Sequence, residues 1–174
     1  MNGEQVVRQA RERKAAFGVK CRKFSGAVSV EILKAALTDE GIRTSPRDVF
    51  VRGIPIEIDL VIPGEGQQPV LGLLYEPQQV AAALEVKNSG SFGESTLGKV
   101  RHDFSRFREA GIPCAYVTLE ERRGFRLAAS SDTVGFPCFT LAWHRKAGGP
   151  IEPKEDWSEL IRFLREHTGA QYAP

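Results

Sequence analysis

Long apolar runs are absent from this sequence, and with them the roughly 20 consecutive hydrophobic residues that a membrane-spanning helix requires. The opening residues, Met1-Asn2-Gly3-Glu4, lead into a charged stretch with Arg8, Arg11, Arg13 and Lys14. No apolar secretory signal is therefore expected, and a cytoplasmic address is. Cysteine is scarce. Cys21, Cys114 and Cys138 are odd in number and far apart, which argues against a disulfide framework and against paired zinc ligands. Cys114 and Cys138 each follow a proline inside an apolar run and read as buried core thiols. The three histidines, His102, His144 and His167, lack the mutual spacing of a zinc site, and neither a nucleophile-elbow serine nor a phosphate-binding loop is present. Serine-hydrolase, zinc-enzyme and nucleotide-triphosphatase chemistries fall away. Repeats and low-complexity tracts are missing too.

What remains has the composition of an ordinary globular protein, with 41% hydrophobic and 26% charged residues. The length of 174 residues suits one domain covering the whole chain. Net charge is only +2, but its distribution is uneven. Residues 1–47 hold ten Lys or Arg against five Asp or Glu, and residues 95–146 hold nine against five. Between them, residues 51–94 hold two basic side chains, Arg52 and Lys87, against six acidic ones. An acidic centre between basic flanks suits a metal site within a polyanion-binding surface. Charge alone is explained more readily by an uneven solvated exterior.

The spacing predicts a polar helix from about Gln5 to Ala16 and a clearer one from Val28 to about Glu40. In the second, Val30, Leu33 and Leu37 recur at helical period, Val28, Ile32 and Ala36 widen the apolar face, and Gly41 supplies a stop. Two strands follow, Asp48 to Val51 and Ile54 to Ile62, joined through a tight hairpin at Arg52-Gly53. Alternation places Ile54, Ile56, Ile58, Leu60 and Ile62 on one face of the second strand and Glu57, Asp59 and Val61 on the other. A turn-rich loop from Pro63 to Pro69 and the apolar run Val70 to Leu74 lead to a central strand, Val80 to Lys87, which Gly90 and Gly93 end. A helix from about Ser95 to Ala110 comes next, with Leu97, Val100, Phe104 and Phe107 on its inner stripe. After it, Ile112 to Leu119 reads as a buried strand, parallel to the central one because a helix connects them. A strand near Phe136 to Trp143 and an amphipathic helix from about Glu155 to His167 complete an α/β sandwich.

Asp59 and Glu85 each place a carboxylate in an apolar strand, where an uncompensated charge is costly. Glu85 and Lys87 are two apart, so both project to one face while Leu84 and Val86 enter the other layer. If the two strands are neighbours, Asp59 and Glu85 converge. Two oxygen ligands at such spacing suit Mg²⁺, which takes one or two protein carboxylates and leaves its other positions to water and phosphate. Lys87 then stands where it can hold an attacking water or offset charge on the phosphate. The alternative is that Lys87 simply pairs with Glu85 or Asp59 at a strand end.

The run Ile56-Glu57-Ile58-Asp59-Leu60-Val61, followed 26 residues after Asp59 by the Glu85 of Leu84-Glu85-Val86-Lys87 and then by a helix and a buried strand, resembles the PD-(D/E)XK nuclease superfamily. The resemblance covers about residues 28–119, with Ile58 where a proline often precedes the aspartate. It implies a restriction-endonuclease-like core, a central mixed sheet flanked by helices in the order helix, three strands, helix, strand. It further implies Asp59 and Glu85 as ligands of Mg²⁺ or Mn²⁺, Lys87 as the catalytic lysine, and nucleic acid, DNA before RNA, as substrate. In many such enzymes a glutamate of the first core helix reaches the metal. Glu31, beside Ala35 and near Lys34 and Thr38, is the matching candidate, an exposed helix glutamate being its equal alternative.

Other polar residues read two ways. Glu57 shares the face of Asp59 and could support it, but a strand pair with Arg52 or another base is the simpler role. Asn88, Ser89 and Ser91 suit either phosphate contact or turn chemistry. Lys99, Arg101, Arg106 and Arg108 form either a solvated helix face or a DNA surface. The expectation is a metal-dependent nuclease. Its rivals are a non-catalytic nucleic-acid-binding module of the same fold and an interaction subunit of a larger complex; a homodimer enters by analogy alone.

Overall fold

The computed structural model describes residues 2–18, 20–89, 93–122, 134–146, 149–154 and 156–169. Gly90 and Ser91, and Glu155 at the expected start of the last helix, lie outside them. The elements in chain order are α1 (Gly3–Phe17), α2 (Arg22–Asp39), β1 (Val49–Val51), β2 (Ile54–Ile58), β3 (Leu60–Pro63), β4 (Leu74–Tyr75), β5 (Val80–Ser89), α3 (Glu94–Glu109), β6 (Cys114–Arg122), β7 (Cys138–His144), β8 (Ile151–Pro153) and α4 (Asp156–Thr168). No described helix is long and apolar enough to cross a membrane.

The strands form two sheets. A five-stranded sheet has the order β3-β5-β6-β7-β8, and a three-stranded one has the order β2-β1-β4. In the larger sheet β3 runs antiparallel to β5, β6 and β7 run parallel to it in succession, and β8 returns antiparallel. The parallel β5–β6 pair expected across α3 is present. One face of this sheet, with Leu60, Leu84, Val117 and Leu141, packs under α1, α2 and α4. The opposite face, with Val61, Ala83 and Tyr116, packs against α3 and the smaller sheet. Each fully buried leucine in these layers contributes roughly 1.5 to 3 kcal/mol of transfer free energy.

Two expectations need correction. The run Ile54–Ile62 is two strands that part at a bend at Asp59, the first half pairing with β1 and the second with β5. Ile54 and Ile58 therefore pack on the α3 side, whereas Leu60 and Ile62 face α1, α2 and α4. The even-numbered positions stay apolar throughout because both halves are buried; the alternation is blind to the change of sheet. The second correction is at α2, which starts at Arg22 rather than Val28. Its first turns mix Arg22, Lys23 and Ser25 with Phe24 and Ala27 and contain Gly26, a poor helix former, so the pattern there is weak.

Helix α1 is fixed at its start by a reciprocal cap: the Asn2 side chain accepts from the Gln5 N–H and the Gln5 side chain accepts from the Asn2 N–H, both at 2.9 Å. Gly3 in its first turn approaches β7 so closely that a Cβ would sit 2.5 Å from the Leu141 carbonyl oxygen. Gly3→Ala should consequently lower stability by roughly 1 to 3 kcal/mol, as over-packing does. The check is a lower urea midpoint at unchanged slope; an unmoved midpoint would mean that α1 docks with slack there.

Candidate active site

The site is built where the two sheets part. β3 pairs with β5 up to Leu60–Leu84, and Asp59 stands one residue beyond, level with the strand end that carries Glu85 and Lys87. The Val86 N–H lies past that last pair and needs another acceptor. It donates to Asp59 Oδ2 at 2.7 Å. On the neighbouring strand, Leu84 and Val86 enter the layer under α1, α2 and α4, while Glu85 and Lys87 turn to the other side. The Lys87 ammonium is hydrogen-bonded to Glu85 Oε1 and lies 3.7 Å from Asp59 Oδ2. One ammonium thus touches both carboxylates, which puts Asp59, Glu85 and Lys87 in one cluster.

Burial governs the electrostatics. It pushes the Asp59 carboxyl upward, against the opposing pull of Lys87 and the Val86 N–H, and Asp48 nearby raises it further. Glu85 is raised first by burial and next by Asp59, with Lys87 and Lys99 opposing. For Lys87 burial favours the neutral amine, but Glu85 and Asp59 together outweigh it and hold the ammonium above its usual range. Two desolvated carboxylates facing one ammonium leave a negative surplus, and every carboxylate donor is a hard oxygen. Such a set fits Mg²⁺ or Mn²⁺. Asp59 and Glu85 are the residues able to hold it; among the described residues no group of three or more His, Cys, Asp or Glu gathers as a metal-binding cluster.

The remaining candidates are placed as follows. Glu31 is exposed on α2 and its carboxylate pairs with Lys34 at 3.1 Å, so the structure does not bring it to the cluster. Glu57 is exposed and lines the same cleft as Asp59. Its expected partner Arg52 instead donates to Glu76 at 2.7 Å. Asn88 and Ser89 line that cleft as well. On α3, Lys99 pairs with Asp103, Arg101 with Glu94 and Arg106 with Glu109. His144 faces Glu120 at 3.2 Å and His167 stacks edge-on against Phe163. Cys114 and Cys138 are buried and not in a disulfide among the described residues, each thiol pushed up to about 12 chiefly by burial.

Two features escaped the sequence. Asp48 has a left-handed φ of 59°, uncommon outside glycine, and donates its N–H to the Asp59 carbonyl at 3.1 Å. The extended start of α2 brings Arg22 and Lys23 to the cleft. Only the basic surplus of residues 1–47 hinted at them.

Across the same face, Tyr116 sits in register between Glu85 and Cys138. Beyond it the Thr118 and Thr140 hydroxyls meet at 2.8 Å, and Thr140 reaches Glu121 Oε2 at 3.5 Å. Glu121 is 2% exposed, and its Oε1 has no hydrogen-bond partner among the described residues. Burial raises its pKa to about 7, Lys154 and the Thr140 hydrogen bond oppose, and Asp156 adds to the rise.

Two solved structures share this architecture. NucC of P. aeruginosa ATCC27853, in its cAAA-bound form, superposes with a TM-score of 0.60 at 12% identity, over 95% of this chain and 90% of that one. NucC of E. coli MS115-1, also cAAA-bound, does so with a TM-score of 0.63 at 14% identity, over 95% and 89%. No protein-family model and no curated protein matches the sequence.

The buried Glu121 gives a prediction in pH. Its folded pKa of about 7 exceeds the ordinary 4.5, so the folded chain holds this proton more tightly. Stability then falls as pH rises from about 4.5 through 7. Between pH 4.5 and 8, Glu121→Gln should gain roughly 2 to 3 kcal/mol relative to wild type. Chemical denaturation across that range decides it; parallel pH profiles would show that Glu121 is ionised without cost.

The chain has the restriction-endonuclease-like fold that the resemblance carried by Asp59, Glu85 and Lys87 implied, at an identity to NucC that speaks for the fold alone.

Proposed function

We propose that this protein is a divalent-metal-dependent nuclease that hydrolyses phosphodiester bonds in nucleic acid, DNA in the first instance. One observation carries the reading: a lysine ammonium touching two half-buried carboxylates at a cleft on the restriction-endonuclease-like fold. The two NucC structures support it through shared architecture.

Asp59 and Glu85 are the proposed holders of Mg²⁺ or Mn²⁺, which when bound supplies Lewis acidity toward a phosphate oxygen and an acidified water. Lys87 serves the reaction directly. As the ammonium it donates to the attacking water or to the phosphate oxygens on which charge develops, inside a cleft whose partial desolvation strengthens that interaction. Its pairing with Glu85 and Asp59 keeps it protonated for the task. Val86 orients Asp59 through the backbone hydrogen bond.

Purified protein, incubated with supercoiled plasmid and Mg²⁺ or Mn²⁺, should nick or degrade it, and chelator should stop the reaction. The incubation is run with and without cAAA because both NucC structures hold that molecule. Lys87→Ala should lose about 10²-fold or more in rate. Lys87→Arg should fail as well, since a broad planar guanidinium does not replace a compact ammonium. Cleavage that survives in Lys87→Ala while remaining chelator-sensitive would remove Lys87 from the mechanism.

A second readout is independent of cleavage. Metal at about 100 times its dissociation constant should stabilise the wild type by roughly 2.7 kcal/mol, because only the folded chain assembles the site. Glu85→Gln should abolish most of that gain. The rival reading, a binding module without catalysis, draws on Lys87 already occupying both carboxylates. DNA binding with neither cleavage nor metal-dependent stabilisation would favour it.

A further inference from the structure

The cleft beside Asp59 and Lys87 has a wall that the proposed chemistry leaves unused. Its volume is about 870 Å³, and Arg22 and Lys23 from the first turn of α2 line it together with Lys87 and Asn88 from the end of β5. Neither the Arg22 nor the Lys23 side chain has an ion-pair or hydrogen-bonded partner among the described residues. Most other basic side chains near the sheet are neutralised: Arg11 by Glu120, Arg47 by Asp48, Arg52 by Glu76. Two cations without an ion-pair partner among the described residues therefore line the cleft that holds Asp59 and Lys87, opposed there by the exposed Glu57, while Asp48 is taken up by Arg47.

Asn88 adds a neutral donor. Its Oδ1 is met by the Lys14 ammonium and by the Ser29 hydroxyl, the latter at 3.0 Å. An ammonium can only donate, so the atom that Lys14 touches must be the amide oxygen. Ser29 is fully buried and Lys14 is half-buried, so this anchor is held from behind by α1 and α2. With the oxygen committed, the NH₂ is left as the free donor of a residue that lines the cleft.

We infer that this wall is a phosphate-binding subsite, in which Arg22, Lys23 and the Asn88 NH₂ hold the backbone phosphate next to the one at Asp59, Glu85 and Lys87. The inference rests on the nuclease reading for what happens at that neighbouring phosphate, but binding itself needs neither metal nor cleavage. Contacts of this kind position a strand without reading its sequence.

The test is a fluorescence-anisotropy titration of labelled duplex DNA of two unrelated sequences, in chelator, over a series of salt concentrations. Wild type is compared with Arg22→Ala/Lys23→Ala, Asn88→Asp and, as a charge-matched control on α3, Arg106→Ala/Arg108→Ala. The α2 double variant should bind both sequences more weakly and flatten the slope of log K against log salt by about 2, roughly one per lost phosphate contact. Asn88→Asp should also weaken binding while melting like wild type, because it keeps the oxygen that Lys14 and Ser29 hold and turns a negative oxygen toward the phosphate. The α3 variant should keep the wild-type slope. A wild-type slope in the α2 double variant, equal flattening by the α3 variant, or no salt-dependent binding by the wild type overturns the subsite. Plasmid cleavage is scored separately. Binding that depends on α2 without any cleavage sinks the nuclease reading alone, and cleavage indifferent to Arg22 and Lys23 sinks the subsite alone.

Discussion

Where two sheets must share one length of chain, the backbone at the parting point loses its ladder partners, and everything at this site follows from how that loss is made good. The chain leaves β2 of the small sheet and enters β3 of the large one through a bend at Asp59. Asp59 resolves the break on both sides. Its carbonyl accepts the Asp48 N–H at 3.1 Å, and its carboxylate accepts the Val86 N–H at 2.7 Å. Ser45, itself buried, closes the next gap by giving its N–H to the Val61 carbonyl and taking the Val61 N–H on its hydroxyl, both at 2.9 Å. A buried N–H without an acceptor costs about 1 to 3 kcal/mol, so the fork is a fixed point. The side chains of β5 that emerge beside it, Glu85 and Lys87, inherit that rigidity.

The fork also explains why charge is concentrated there. A carboxylate that must face a backbone N–H cannot retreat into water, and Glu85 on the adjacent strand meets it in the same half-buried space. Lys87 relieves the repulsion only in part. Both carboxyls remain shifted toward the protonated form, primarily by lost hydration. A small divalent cation would offset a larger share of that cost than one ammonium can. The stability of the apo-site and the affinity for a metal are thus opposite sides of one electrostatic imbalance.

Sequence pattern conveyed the layers well because burial writes them directly. The stripe Leu97, Val100, Phe104 and Phe107 of α3 and the flanking apolar strands β5 and β6 lie where periodicity put them, and Glu85 and Lys87 share the face that their spacing demanded. The bend at Asp59 was illegible, since the alternation of Ile54 to Ile62 continues through it while the strand changes sheet. The start of α2 was illegible for the converse reason. Residues 22–27 mix Arg22, Lys23 and Ser25 with Phe24 and Ala27 around Gly26, a poor helix former, so the half-buried first turns carry a weak helical signal. Strand β8, three residues at an edge, is too short to carry a pattern. The pairing of Arg52 with Glu76 rather than Glu57 depends on β4 lying beside β1, which no local signal announces.

Because Asp59 serves the fork as well as the cluster, substitutions there report on two things at once. Alanine would remove the acceptor of the Val86 N–H along with the charge, so a dead variant would not distinguish a lost metal ligand from a sheet that no longer closes. Asparagine keeps a carbonyl oxygen for that N–H and separates the two effects in part. Glu85 is the cleaner probe. Its carboxylate bonds to Lys87 and to no backbone group among the described residues, so replacing it by glutamine leaves the fork intact and changes only the charge beside Lys87 and Asp59. Lys87 is cleaner still, lying near the end of β5 with its ammonium paired, among the described residues, with the two carboxylates alone. Function at this site is therefore best argued from the residues that the architecture does not need, and least from the aspartate on which it depends.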